Sequence, residues 1–368
     1  MDRNVLITGG CGFIGRYVCE EMMRYGYRVR IIDSLIEQVH QEAPVIPEGV
    51  DFIKGDLLDA DLVSRALEGM DCVVHLAAEV GVGQSMYEIG RYVGTNDLGT
   101  AILLEKMIGR PIGRIVVASS MSVYGEGLYA DSQGRRFGAV RRRVKDISEG
   151  LWNPVTPDGA VLTPCATDEE KTVDLASIYA LTKYCQEKQV LIFGEAYGVD
   201  AVALRLFNVF GAGQALANPY TGVLANFAAR LANGKAPMIF EDGLQRRDFV
   251  HVRDVARAFR LALESPRASG HVINIGSGQS YTIKDVANLL AVAMGVPDIR
   301  PEILHRSRSG DIRNCYADIS KARELLGFEP EHRLETALGD FAAWVEGSTV
   351  IDQGQHMKAE LEARGLVR

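Results

Sequence analysis

No apolar run in this 368-residue chain reaches the roughly 18 residues that a membrane helix needs, so a spanning protein is not expected. There is no charged-then-apolar leader either. Strand-like residues Asn4 to Thr8 follow the first methionine almost at once, and the expected location is the cytoplasm. The six cysteines (Cys11, Cys19, Cys72, Cys165, Cys185, Cys315) form no CxxC pair and keep no regular spacing, which argues for reduced thiols and against a disulfide frame or zinc site. The seven histidines (His40, His75, His251, His271, His305, His332, His356) show no metal-ligand spacing and read as structural or surface groups, so no metal is expected. Positive charge is also short. Forty Lys and Arg against 48 Asp and Glu leave a net charge of −8, which speaks against a nucleic-acid partner and requires any phosphate site to be a local cluster of Arg, Lys and backbone amides. Internal repeats are absent, and 47% hydrophobic with 24% charged residues is the composition of an ordinary globular protein.

What is present is alternation. Short apolar runs at NVLIT (4–8), RVRIID (28–33), VDFIKGD (50–56), CVVHLAA (72–78) and RIVVASS (114–120) have the unbroken, β-branched character of strands buried on both faces. Between them, 13–25, 60–67 and 98–108 carry apolar residues at helical spacing. This pattern predicts an α/β fold, a doubly wound parallel Rossmann sheet with right-handed crossovers. After Tyr124 it gives way to a polar stretch of about 50 residues containing GRRFGAVRRRVK (134–145) and Pro154, Pro157 and Pro164. The basic run Arg141-Arg142-Arg143 with Lys145 reads as a solvated or interface loop, a lid over a diphosphate being the sharper alternative. A helix over 177–197 and a strand over 199–208 follow. The expected division is a Rossmann domain over 1–210, with an insert at about 126–176 and a return of 250–278 from later in the chain. A smaller mixed α/β substrate lobe spans 211–345, and a polar, helical tail without visible function spans 346–368.

Residues 8–15 read TGGCGFIG directly between a strand and a helix and contain Gly10-x-Gly12-x-x-Gly15. Glycines there permit a tight turn and close approach of a pyrophosphate, while the helix N-terminus offers free amides. Asp33 closes the second strand about 20 residues on, where its carboxylate can accept ribose hydroxyl hydrogen bonds. Ser34 and Leu35 follow it and no Arg stands ready for a 2′-phosphate, which favours NAD over NADP.

Tyr179 and Lys183 sit one turn apart on a predicted helix and share a face. A free tyrosine titrates near about pH 10. A neighbouring ammonium is expected to favour the phenolate and make it a usable base. Ser119 and Ser120 end a strand at the edge where open parallel sheets bind ligands, so a hydroxyl there can share a substrate proton with Tyr179.

With these residues in view the chain resembles the extended short-chain dehydrogenase/reductase family, specifically its sugar-nucleotide epimerases and dehydratases. The resemblance runs from about Asn4 to Leu338 through TGGxGFIG, Gly55-Asp56, HLAA (75–78), Asn96 before LGT, SSxxVYG (119–125), YxxxK, RLFNVFG (205–211) and RRDFVHVRD (246–254). It implies an NAD site built from Gly9, Gly12, Phe13, Ile14, Gly15, Asp33, Asp56, Leu57, Leu76, Ala77, Ala78, Asn96, Tyr179 and Lys183, with Asp56 and Leu57 bracketing the adenine. It implies catalysis by Ser120, Tyr179 and Lys183. Substrate contacts fall to Ser120, Tyr179, Asn208, Asn226, Arg247, Arg308 and Asp311, the arginines suiting a diphosphate through their planar donor fork. Dehydratases of the family resemble STDEVYG where this chain has Met121-Ser122, and a thioether and a hydroxyl cannot serve as the acid and base of a water elimination. The implied reaction is 4-epimerisation of a UDP- or dTDP-hexose. Tyr179 takes the 4-hydroxyl proton as hydride passes to NAD, the 4-keto sugar turns, and hydride returns to the other face. A homodimer built from the helices at 98–108 and 177–197 is implied as well. Cys315 falls where the family gates bulky C2 substituents, with a buried packing thiol as the plain alternative. The rival readings are a 4,6-dehydratase, a keto-sugar reductase, and a non-enzymatic Rossmann sensor.

Overall fold

Seven apolar segments become the strands of one sheet: β1 (Arg3–Thr8), β2 (Tyr27–Asp33), β3 (Asp51–Lys54), β4 (Cys72–His75), β5 (Arg114–Ser120), β6 (Asp200–Leu206) and β7 (Val272–Ile275). In this computed structural model, which describes residues 3–40, 43–216, 218, 222–308, 310–348, 350, 352 and 354–367, their order is β3-β2-β1-β4-β5-β6-β7 with every pair parallel. Ser309 and the His356 side chain lie outside the described residues.

Alternate residues of each strand face opposite sides, and each side has its own core. Val5, Ile7 and Val116 pack with Val18 of α1 (Phe13–Arg24) and Phe259 of a helix at Val252–Glu264. Leu6, Val73, Ile115 and Val117 pack on the other side with Val63 of α2 (Ala60–Ala66), Leu103 of α3 (Gly99–Met107) and Val190 of α4 (Ile178–Tyr197). Burial on both faces explains why the strand sequences lack an apolar–polar alternation. The strand order reverses at β1, which lies between β2 and β4. That is the switch point where a crevice opens beyond the strands' carboxyl ends.

A second core joins Phe210 to α5 (Val223–Ala232), the helix Ile283–Ala293 and the helix Leu334–Glu346 through Phe227, Val286, Leu290 and Phe341. Short strands attach to it, among them Arg246–Arg247 between Tyr281–Thr282 and Asn314–Cys315. The chain then leaves this region to supply β7 at the edge of the main sheet. The fully buried Asp248 fastens the crossing, accepting from Ser277 N (2.7 Å), Ser277 Oγ (2.8 Å) and Gly278 N (2.9 Å).

The polar stretch after Tyr124 is folded. Leu128–Ala130 lies between Arg136–Phe137 and Thr163–Cys165 in an antiparallel sheet, a short helix covers Val144–Ser148, and Tyr129, Val140 and Leu162 form a small core of their own. The expectation of a solvated basic run holds at Arg141 and Arg143, which are exposed beside Asp174 and Asp146, and fails at Arg142. The Arg142 side chain is only 6% exposed and donates to Glu126 Oε1 (2.9 Å), Glu241 Oε1 (2.6 Å) and the Asp311 carbonyl (2.8 Å). Glu241 is shared with Arg313, which forks onto Asp242 at 2.6 and 2.9 Å. Buried charges are tolerated only when paired, and here the pairing docks the insert on the second lobe.

Removing one member leaves the others buried and unpaired. Arg142→Ala should therefore cost about 3 kcal/mol in urea unfolding, whereas Arg141→Ala, whose guanidinium is in solvent, should leave the urea midpoint unchanged.

Candidate active site

Two glycines show why the loop after β1 has the sequence it has. Gly9 has φ +68°, and a Cβ there would lie 2.8 Å from the Ala77 nitrogen at the end of β4. A Cβ on Gly15 would lie 2.4 Å from the Gly9 carbonyl oxygen. The loop is thus pressed against β4 and α1. The helix itself begins after Gly12 with no side-chain cap and no acid in its first turn, leaving the amides around Phe13 and Ile14 to meet an anion. Asp33 ends β2 with its carboxylate oriented by Cys11 N (3.0 Å) and Leu35 N (2.9 Å), and His40 Nε2 stands 3.5 Å away. Two amides occupy half of a carboxylate's acceptor capacity, so room remains for ribose hydroxyls. Asp56 is exposed and orients Leu58 N (2.9 Å), next to the buried Leu57. Leu76, Ala77 and Ala78, all partly buried, continue β4 toward the glycine loop. An uncapped helix end, a cradle that any Cβ would fill and a free-edged carboxylate fit a dinucleotide.

The helix α4 starts at Ser177, whose Oγ accepts from Ala180 N (3.1 Å), and it puts Tyr179 and Lys183 one turn apart on the face toward β5. Tyr179 is further anchored by its own N–H on Ser85 Oγ (3.0 Å) and an edge contact with the Tyr92 ring. At the end of β5, Ser120 Oγ accepts from Ser122 N (3.2 Å) and lies 2.9 Å from Ser122 Oγ. Burial pushes the Tyr179 phenol above its ordinary value, and hydrogen bonding with Ser120 pulls it back. Burial also pushes the Lys183 ammonium down to about 7, with Asp97 and Glu187 acting the other way. Desolvation therefore outweighs the lowering of the Tyr179 pKa expected from Lys183. In this geometry the lysine Nζ donates to Gln186 Oε1, and desolvation dominates both groups.

Asn96 lies in a π-helical turn (Val93–Leu98), fully buried, and its amide is committed to protein groups. It accepts from Glu79 N (2.7 Å) and donates to the Glu79 carbonyl (3.2 Å) and Thr182 Oγ1 (2.9 Å), holding the β4 extension against α4.

The substrate candidates are more scattered. Asn208 keeps a buried Oδ1 with no partner, and Asn226 is partly buried on α5. Arg247 spends its guanidinium on the carbonyls of Arg246 (2.9 Å), Arg313 (3.1 Å) and Ile312. Arg308 forks onto Asp311 (2.9 and 3.0 Å) with its cation over the Phe240 ring. Cys315 is 1% exposed, 3.9 Å from Thr167 Oγ1, and burial raises it to about 12, the state of a packing thiol. The tail does have a place: Val367 bridges to Arg308, Leu361 and Val367 pack on Phe240, and Arg364 stacks on Tyr87. The insert encloses a cavity of about 320 Å³ lined by Arg141, Arg142, Arg143 and Asn153, but each of these arginines already faces a carboxylate.

Four residues around the pair were missed: Asp97, His75, Gln186 and Glu187. The last two lie three and four positions beyond Lys183, and continuing the YxxxK face by one turn would have pointed to them. Among the described residues no cluster of His, Cys, Asp or Glu is placed to hold a metal, and no helix is long and apolar enough to cross a membrane.

A glycine cradle at a Rossmann switch point beside a Ser-Tyr-Lys cluster defines a nicotinamide-dependent enzyme of the extended short-chain dehydrogenase/reductase type. More particularly, the chain belongs to the NAD-dependent epimerase/dehydratase family, whose model matches residues 5–141 and 154–276. It is 32% identical to dTDP-L-rhamnose 4-epimerase of Burkholderia thailandensis, over 93% of this chain and 95% of that one. Among solved structures it is similar to UDP-N-acetylglucosamine 4-epimerase from Methanobrevibacter ruminantium in complex with UDP-N-acetylmuramic acid (32% identity, TM-score 0.78, 95% of this chain and 99% of that one). It is also similar to UDP-glucuronic acid 4-epimerase from Bacillus cereus in complex with UDP-glucuronic acid and NAD (27% identity, TM-score 0.76, 94% and 99%). The cofactor is NAD.

Because a Cβ at Gly15 must displace the Gly9 carbonyl, Gly15→Ala should weaken NAD binding about tenfold or more in a fluorescence titration while the protein stays folded.

Proposed function

We propose that the protein epimerises a nucleotide-activated hexose, carried on UDP or dTDP, at C4 through a 4-keto intermediate. The observation that carries this reading is the hydroxyl cluster at the end of β5. Ser120 and Ser122 face the Tyr179–Lys183 helix, and Met121 and Ser122 stand where a water-eliminating relative needs a carboxyl pair. Removing an acid and base removes the elimination step and leaves oxidation and reduction at one carbon.

NAD bound against the glycine loop supplies reversible hydride transfer at C4. Tyr179 accepts the 4-hydroxyl proton as the phenolate and returns it when the ketone is reduced; burial disfavours that phenolate and the hydrogen bond with Ser120 favours it. Ser120 holds the same oxygen from the β5 side, and Lys183, when charged, stabilises the phenolate as it forms. Just beyond β6, Asn208 offers its unpartnered acceptor to the substrate. Asn226 lies on α5, Arg247 fixes the backbone at residues 312–313, and Arg308 and Asp311 exchange their mutual fork for the diphosphate and the ribose.

Six unpaired cysteines support a reducing, cytoplasmic setting. The homodimer reading is supported by exposed apolar side chains at the two ends of α3, Leu98 (53%) and Ile108 (47%), and on α4, where Leu181 (40%) and Ile192 (64%) share a stripe with Cys185 and Lys188. Light scattering should give about twice the 40.2 kDa chain mass, and a 40 kDa species would remove the dimer.

The decisive assay is proton NMR of the protein with a panel of UDP- and dTDP-hexoses and no added reductant. A new C4 epimer at constant total sugar, without net NADH, is expected; a 4-keto-6-deoxy product would replace this reading by the dehydratase. Tyr179→Phe should lose turnover by about a thousandfold or more while retaining NAD affinity, and full activity in that variant would sink the role of Tyr179.

A further inference from the structure

Lys183 sits at one end of a buried polar chain that runs along the α3–α4 face of the main sheet to β1. Its Nζ donates to Gln186 Oε1. On the other side of that amide, Gln186 Nε2 donates to Thr100 Oγ1 (2.8 Å) on α3 and reaches the Ala77 carbonyl (3.3 Å) at the end of β4. Thr100 gives its own proton to the Asn96 carbonyl (2.5 Å), so its oxygen is left to accept from both Gln186 and His75 Nε2 (2.8 Å). His75 Nε2 also lies 3.1 Å from Gln186 Nε2, and its Nδ1 lies 2.7 Å from Thr8 Oγ1. Thr8 Oγ1 in turn accepts from the backbone amides of Leu76 and Ala77 (3.2 Å each). Thr8, His75, Thr100 and Gln186 are at most 1% exposed. The Gln186 amide thus stands with its oxygen toward Lys183 and its nitrogen toward Thr100 and the sheet.

We propose that Gln186 is a positioning residue for catalysis: its amide oxygen, aimed by the Thr8–His75–Thr100 chain, fixes the position of the Lys183 Nζ and sustains it as an ammonium in the buried cleft. This extends the assignment of Lys183 to the catalytic pair and rests on it. The argument is one of satisfaction. An ammonium has three N–H donors, and in a dry site each unmet donor favours loss of the proton. The other groups that face Lys183 are Asp97 from the π-helical turn, Glu187 on its own helix, and His75 from β4. His75 is neutral, since burial and Lys183 together push it down to about 3, so it adds no competing charge. Asp97 is itself raised to about 6 by burial, and its Oδ1 has no hydrogen-bond partner. Gln186 is thus the side chain in direct hydrogen-bond contact with the amine, and it acts as a neutral acceptor that does not convert the pair into a fixed salt bridge.

The test reads the lysine directly. Protein labelled with 13C at the lysine ε-carbon is titrated by NMR, with the Lys183 signal assigned by its loss in Lys183→Arg. Gln186→Leu should move the Lys183 midpoint down by at least one pH unit, and Gln186→Glu, which puts an anion on the same contact, should move it up. Thr100→Val, which frees the amide without touching it, should shift the midpoint in the same direction as Gln186→Leu and by less. The alkaline limb of kcat/KM should follow these midpoints, with kcat and not KM bearing the loss. Thermal unfolding reports whether each variant is folded. A midpoint that stays in place in both Gln186 variants, or moves the same way in both, overturns the proposal. Because the titration needs no turnover, a protein inactive on every hexose would remove the proposed function and leave this result standing.

Discussion

The buried pair of Glu187 and Arg205 is the contact on which the catalytic arrangement depends. Arg205, on β6, lies opposite Ser119 of β5 in register, and its guanidinium forks onto Glu187 of α4 at 2.9 and 2.7 Å while Ser119 Oγ donates to the same carboxylate at 2.7 Å. Neither charge would be stable alone at this depth, so each fixes the other. Glu187 is one turn beyond Lys183 and Ser119 directly precedes Ser120. One ion pair therefore sets the distance between the helix that carries tyrosine and lysine and the strand that carries serine. Its influence extends outward, because Arg205 stacks over Tyr124 at 4.7 Å and the Tyr124 hydroxyl reaches Asn274 of β7 at 2.7 Å.

The sheet was legible in the sequence for a physical reason. Strands buried on both faces have to be apolar along their whole length, and NVLIT, CVVHLAA and RIVVASS announce themselves without any partner in view. The glycine loop was legible because its constraint is steric and local. The hydroxyl-tyrosine-lysine set was legible because its spacing is that of one helical turn. Outside these, the signal fails in a consistent way. Arg142 reads as one of three equal surface arginines in the sequence and is the buried one in the fold, since its carboxylate partners, Glu126 and Glu241, lie 16 and 99 residues away. His75 looked like part of a strand end, and only the approach of α3 and α4 shows that it links Thr8 to the lysine. Polar groups that are satisfied over long sequence separations leave no periodicity to detect.

Depth, more than the nearest charge, governs how the groups of the site titrate. Tyr179 and Lys183 both move toward their neutral forms because water is excluded, and the Ser120 hydrogen bond at the tyrosine and the Asp97 and Glu187 charges near the lysine only moderate that. A dry site makes each oriented dipole count for more than the same dipole at the surface. The same dryness explains the number of side chains around the pair that touch only protein, Asn96 foremost among them.

The return of β7 from beyond the second lobe's first strands has a consequence for how this architecture can change over time. Since the main sheet is completed only by a segment that follows Asp248, no single cut separates a cofactor half from a sugar half. Shuffling of whole lobes between relatives would sever the sheet edge and strand the Asp248 carboxylate without Ser277 and Gly278. New sugar preferences must then accumulate residue by residue on a scaffold inherited whole, at loops such as the insert and the segment around Arg308 that border the cleft without forming the sheet.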